Sequence, residues 1–75
     1  MSERPEPAVM WTLRRGSDEM KAVLFSVSDG LELRVLRNGD VQSSERFSRA
    51  ENERLLGTVK AKQRELERQG WEAVE

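Results

Sequence analysis

Two glycine-containing dipeptides constrain this chain more than any other feature of its sequence. They are Asp29-Gly30 and Asn38-Gly39, and between them lies the alternating segment 31–37. Asp-Gly and Asn-Gly between runs of alternating apolar and polar residues are strong signals for β-hairpins. The middle of the chain is therefore predicted to form three antiparallel strands joined by tight turns.

The type of each turn decides which side chains share a face of the sheet. A two-residue loop at the first dipeptide would pair Val27 with Glu32 and place an apolar side chain on a polar face. A three-residue loop shifts the register by one residue, and such a shift moves every side chain to the opposite face. Glycine adopts the left-handed conformation that this loop requires. We therefore predict G1-bulge hairpins, with positive φ at Gly30 and Gly39.

This register predicts two faces of unlike composition. The inner face is mainly apolar, and Phe25 lies at its centre. The opposite, open face mixes apolar side chains with arginines. The strands are predicted at 9–15, 20–27, 31–37 and 41–47, with Val9, Trp11, Leu13, Val23, Phe25, Val27, Leu31, Leu33, Val35, Val41, Ser43 and Glu45 on the inner face.

A long helix is predicted over residues 49–69. Ser48 and Glu51 have the spacing of a capping box at its start. Gly70 is placed to end the helix in the left-handed conformation, and Trp71 to pack against Leu66 in a Schellman motif. The apolar stripe that would face the sheet is Leu55, Leu56, Val59 and Leu66, continued by Trp71.

The predicted fold is therefore α+β: a four-stranded antiparallel β-meander with one long C-terminal α-helix packed on one face. Residues 1–8 are polar and contain two prolines, so we expect a disordered tail before a single domain over 9–75. We expect the following side chains to be mostly buried: Trp11, Phe25, Leu33, Leu55, Val59 and Leu66.

Composition argues against several classes of function. The chain has no histidine and no cysteine, which removes the commonest general base, the commonest metal ligand and the thiol nucleophile. We therefore expect no enzymatic activity, no cofactor and no metal. The absence of cysteine favours a reducing, cytoplasmic setting, and no apolar run has the length of a membrane span. The net charge of −1 produces no overall attraction to nucleic acid.

The open face is the predicted site of function. It offers apolar side chains with arginines among them, a mixture that is enriched at the centres of protein interfaces. We expect a non-enzymatic module that forms a homodimer or docks on another protein through this face. The alternative interface is the back of the helix, where Gly57 and Ala61 would permit close approach. The partner-binding residues predicted on the open face are Met10, Arg14, Leu24, Arg34, Leu36 and Arg46.

The order ββββα, with segment 31–34 leading through a fourth strand into 47–51, resembles the PC4/Whirly type of single-stranded DNA-binding domain. The resemblance covers about residues 9–69 and is one of topology. It implies nucleic acid as the alternative partner, bound on the sheet. The strand around Trp11, the turn 37–40 and the terminal Gly70-Trp71 also resemble small bacterial proteins of this size. That second resemblance implies a stand-alone domain and indicates no activity.

Overall fold

The computed structural model describes residues 7–74, and its elements confirm the predicted α+β meander. The predicted tail falls mostly on residues 1–6, which lie outside the described residues, and the first strand already begins at Ala8. A short fifth strand follows the helix and was not predicted. The elements are β1 (Ala8–Arg15), β2 (Asp18–Val27), β3 (Gly30–Arg37), β4 (Asp40–Phe47), a 3₁₀ turn (Arg49–Glu51), α1 (Asn52–Arg68) and β5 (Glu72–Ala73).

The strands form one antiparallel sheet in the order β4-β3-β2-β1-β5. Strand β5 pairs with β1 through Ala73 opposite Leu13, and the Val74 N–H donates to the Thr12 carbonyl at 2.9 Å. The chain therefore leaves the helix and returns to the β1 edge. The opposite edge is β4, a full-length strand.

The first predicted hairpin was wrong in its turn. Ser28 and Asp29 form a two-residue loop, so Val27 pairs with Gly30, and the φ of Gly30 lies outside the left-handed region. Glycine is needed here for a different reason. A Cβ on Gly30 would clash with the backbone carbonyl of Phe47 on the neighbouring strand. Close approach between strands, and not turn conformation, explains this glycine.

The second hairpin confirms positive φ at Gly39 but corrects the loop type. Asn38 has φ 50° and Gly39 has φ 90°, and Arg37 pairs with Asp40. Two left-handed residues in a two-residue loop are typical of a type I′ turn, which matches the twist of the strands. The bulge lies instead within β4, where the pairing shifts next to Val35, so the predicted G1 bulge was wrong.

Strand β2 presents the opposite face from the one predicted. Ala22 is fully buried against the helix side, whereas Phe25 is only half-buried and lies on the open face. Strand β2 is apolar on both faces, so alternation alone did not determine its orientation. A bulge in β1 between Val9 and Trp11 keeps the Trp11 side chain on the inner face while Val9 turns outward.

The core lies between the inner face and the helix. Four of the six side chains predicted as buried are buried, and Leu66 packs against the core while partly exposed. Phe25 was wrong, and so was Leu56, which is 46% exposed. The core consists of Trp11, Leu13, Met20, Ala22, Leu33, Val35, Phe47, Leu55, Val59 and Trp71.

Both predicted helix ends are confirmed. The Ser48 N–H donates to Glu51 Oε1 at 2.9 Å, completing the capping box, and this hydrogen bond lowers the pKa of Glu51. At the other end Gly70 has φ 98°. The Gly70 N–H donates to the Glu67 carbonyl and the Trp71 N–H to the Leu66 carbonyl, each at 3.1 Å, which is the Schellman pattern.

Candidate functional site

The face of the sheet away from the helix carries a mixed apolar and basic surface. Strand pairing assigns its members, because residues directly opposite one another in neighbouring strands point to the same side. We call this surface the open face. It comprises Val9, Thr12, Arg14, Glu19, Lys21, Val23, Phe25, Val27, Glu32, Arg34, Leu36, Val41, Ser44 and Arg46.

The structure brings together four of the six residues predicted to bind a partner on this face. Arg14, Arg34, Leu36 and Arg46 lie on the open face, as their strand pairing requires. The other two do not belong there. Met10 lies at the β1 bulge, and both it and Leu24 pack against the core, so their predicted placement was wrong.

An aromatic ring lies where the sequence predicted none. Phe25 is on the open face, and the Arg34 guanidinium carbon is 4.4 Å from the centre of its ring. The same guanidinium donates to Glu32 Oε1 at 3.3 Å. Arg34 is thus held by stacking and by an ion pair, and its long side chain covers part of the Phe25 ring.

The open face contains apolar residues beyond Phe25. Val23 is buried although the helix lies on the other side of the sheet, because the neighbouring side chains of the open face cover it. Val9 and Val41, at the two sides of the meander, are 55% and 53% exposed. The open face therefore carries a small apolar cluster with exposed margins, which is more than scattered surface apolar residues produce.

Basic side chains outnumber acidic ones on the open face, with four of the former and two of the latter. Arg14 and Lys21 both lie close to Glu19, at 3.3 and 3.9 Å. Arg46 takes part in none of the ion pairs formed among residues 7–74. Although the whole chain has a net charge of −1, this face therefore has a local positive excess.

A groove of about 420 Å³ opens between the helix and the β3–β4 half of the sheet. The groove lies where two small side chains, Ser43 on β4 and Ala61 on the helix, line the space between helix and sheet. Trp11, Ala22 and Val35 occupy one row of the inner face, and Ser43 is the next member of that row on β4. The groove is lined by Met20, Val35, Ser43, Thr58, Ala61, Lys62, Glu65 and Leu66.

The two residues of the alternative helix interface lie in different surroundings. Gly57 is exposed, and a Cβ added there would meet no atom within 4 Å. Ala61 lines the groove, whereas Gly57 does not. The pair therefore marks two separate features of the helix: an unexplained surface glycine and a small residue on the wall of the groove.

Trp71 is enclosed by cations in a way that the sequence did not reveal. The guanidinium carbons of Arg15 and Arg37 lie 4.8 and 5.8 Å from the centre of its ring. Arg37 also donates to Asp18 at 3.0 Å, and Asn38 donates to the other Asp18 oxygen at 3.0 Å. These hydrogen bonds, the Asn38 bond foremost, lower the pKa of Asp18. These contacts join Trp71, just after the helix, to residues beside the turns at 16–17 and 38–39, and we assign them a structural role.

Comparisons with protein-family models, with curated proteins and with solved structures found no match for this chain. The resemblance to PC4/Whirly domains therefore stays a prediction. None of the helices within residues 7–74 combines the length and the hydropathy needed to cross a bilayer. Over the same residues, no three histidine, cysteine or acidic side chains come together in a way that could hold a metal ion.

Proposed function

We propose that this protein is a non-enzymatic interaction module that self-associates through its open face. The observation that carries the proposal is the apolar cluster of that face, which the helix leaves uncovered. Burying exposed apolar area of this kind against a second surface is favourable, because it removes the area from water. The chain contains neither histidine nor cysteine, two residue types that are common in catalytic sites. A cytoplasmic setting is part of the same proposal.

Charge placement favours a second copy of the chain as the partner. Arg34 and Glu32 are neighbours near the centre of the open face, and the Glu32 side chain is only 12% exposed. In a two-fold contact the same patch meets itself in the opposite direction. When the two-fold axis passes between these two side chains, the arginine of one copy lies opposite the acid of the other, so the central charges pair across the contact.

The size of the domain supports the same conclusion. Among residues 7–74 the buried core cluster contains ten side chains, and a 75-residue chain buries a smaller fraction of its surface than a larger domain does. Oligomerisation is a common way for such domains to gain buried area. Packing two open faces together would produce a sandwich of two sheets with the helices outside.

Sedimentation equilibrium across a wide concentration range tests the proposal. Val41→Lys and Val9→Lys place a charge at opposite sides of the open face, and each should weaken self-association by about tenfold or more. Leu56→Lys is the matched control, because Leu56 is similarly exposed but lies on the helix. A wild-type protein that stays monomeric at all concentrations would contradict the proposal, as would equal effects of all three variants.

Single-stranded nucleic acid is the second candidate partner, and the position of Phe25 is the observation that favours it. Bases stack on exposed aromatic rings while basic side chains follow the phosphates. The open face supplies one such ring, with Arg34 over it and Arg46 in the same row. A second copy is favoured over nucleic acid because Arg34 already occupies the ring and the face contains only this aromatic.

Two substitutions separate these partners. Arg46→Ala removes a cation that has no ion pair among the described residues, so it should weaken oligonucleotide binding more than it weakens self-association, which depends on the apolar side chains of the face. Val41→Lys should weaken self-association and should not weaken oligonucleotide binding. Fluorescence anisotropy with a labelled oligothymidylate at low and high salt measures the first effect, because phosphate contacts weaken steeply as salt rises.

A further inference from the structure

The groove beside the helix is a second surface that the proposed function does not use. It lies on the helix side of the sheet, whereas self-association involves the opposite face. Its volume of about 420 Å³ is within the range typical of small-molecule sites. An occupant of the groove would therefore be compatible with a dimer formed through the open face.

The walls of the groove are mainly apolar. Val35 contributes from the sheet, and Leu66 and Ala61 from the helix. The helix residues that line it extend from Thr58 to Leu66, which is about 12 Å at 1.5 Å per residue. A groove that is long compared with the size of a single side chain suits an extended hydrocarbon chain.

One cation of the groove is available to a ligand. Lys62 is half-buried at the groove and takes part in none of the ion pairs formed within residues 7–74. The groove's acid, Glu65, is already engaged by Arg68 at 3.6 Å and by the Gln69 side chain at 3.4 Å. Lysine side chains cover apolar surface with their methylenes and offer the ammonium group at the end.

We propose that the groove binds a medium-chain carboxylate. The hydrocarbon tail lies against Val35 and Leu66, and the carboxylate pairs with the Lys62 ammonium. A charge-assisted hydrogen bond selects an anionic head group, and the apolar walls select an unbranched tail. Ser43 and Thr58 also line the groove, and their hydroxyls are of the kind that donates to a carboxylate.

Amide NMR titration of the full chain with octanoate, and separately with 1-octanol, tests this proposal. Octanoate should shift the amides of groove residues and bind more tightly than 1-octanol. Lys62→Met should weaken octanoate by about fivefold and leave 1-octanol unchanged, because it removes only the ion pair. Ala61→Leu should weaken both ligands by about tenfold, because the larger side chain fills the groove.

Controls keep the test independent of folding and of self-association. Gly57→Ala lies on the same helix outside the groove and should bind octanoate as the wild type does. Val41→Lys disturbs only the open face and should also bind normally. Equal binding of octanoate and 1-octanol, an unaffected Ala61→Leu variant, or unshifted groove amides would each overturn the proposal. So would ligand-free shifts of the groove amides that grow with protein concentration in the Val41→Lys variant, since a second copy would then occupy the groove.

Discussion

The helix meets the sheet in two different ways on its two flanks. On the β1 flank the Trp11 indole N–H donates to the Val59 carbonyl at 3.0 Å. Trp71, the residue before β5, is also buried. On the β4 flank Ser43 and Ala61 leave a groove. The helix side of the sheet thus has a filled flank at β1 and an open flank, the groove, at β4. The difference between the flanks follows from side-chain volume.

The charged contacts that join the helix to β4 are exposed, although Phe47 of that strand is buried in the core. Arg54 reaches Glu45 at 3.6 Å and lies over the Phe47 ring at 5.0 Å, and both charged side chains are 41% exposed or more. Exposed ion pairs contribute little because water and salt screen them. We therefore expect the β1 flank to supply most of the stability and the β4 flank to tolerate change.

The largest expected effect comes from emptying the filled flank. Trp71→Ala removes a buried ring and should lower the free energy of unfolding by about 3–5 kcal/mol. Leu56→Ala is the control, because Leu56 lies on the helix and is 46% exposed, and it should cost less than about 1 kcal/mol. Urea denaturation measures both. Equal losses would show that the β1 flank is not the main source of stability.

The next effect concerns a tight contact between β3 and β4. Gly30→Ala would force a Cβ into the Phe47 carbonyl, so β3 and β4 must separate there at a cost of about 1–3 kcal/mol. Gly57→Ala, in open space on the helix, should instead stabilise by up to about 1 kcal/mol. Thermal unfolding of the two variants compares them. A neutral Gly30→Ala would contradict the close approach of these strands.

Filling the open flank should reduce the difference between the flanks. Ser43→Val adds apolar volume inside the groove and should stabilise by about 0.8 kcal/mol. Ser44→Val is the matched control, because the next residue of β4 points to the open face and gains the same strand propensity. Should both variants stabilise equally, strand propensity and not groove filling would be the cause.

The smallest expected effect is a dependence on pH at the Trp71 end of the filled flank. Because hydrogen bonds lower the folded-state pKa of Asp18, its contribution is complete above the ordinary aspartate pKa. That contribution is lost as the pH falls through the lowered value. Asp18→Asn should therefore make stability less sensitive to acid, measured by urea denaturation at several pH values. An unchanged acid dependence would show that Asp18 contributes nothing through this pKa.

The order of the strands and helix along the chain, and the ends of the helix, could be predicted because they depend on residues that are close in sequence. The capping box at Ser48 and the Schellman motif at Gly70-Trp71 each close hydrogen bonds within a few residues, so local chemistry suffices. The alternation in β1 and β3 likewise predicted the inner positions of Leu13 and Leu33 correctly. These strands have a polar face and an apolar face, which leaves one consistent orientation.

The candidate site could be predicted only in part, because it depended on the orientation of β2. Arg34 and Arg46 were both placed correctly on the open face, whereas Val41, predicted on the inner face, lies on the open face because of the bulge in β4. Phe25 and Leu24 exchanged faces relative to the prediction. The groove was not predicted at all, since it requires Ser43 and Ala61, far apart in the chain, to face each other.

The sequence by itself determined the order of the elements, the limits of the helix and the faces of the strands with one polar side. Only the tertiary structure decided the register of β2, the pairing of β5 with β1 and the position of the groove. The physical reason is degeneracy. A strand that is apolar on both faces satisfies either register locally, and the choice depends on which side chains fill the space beneath the helix.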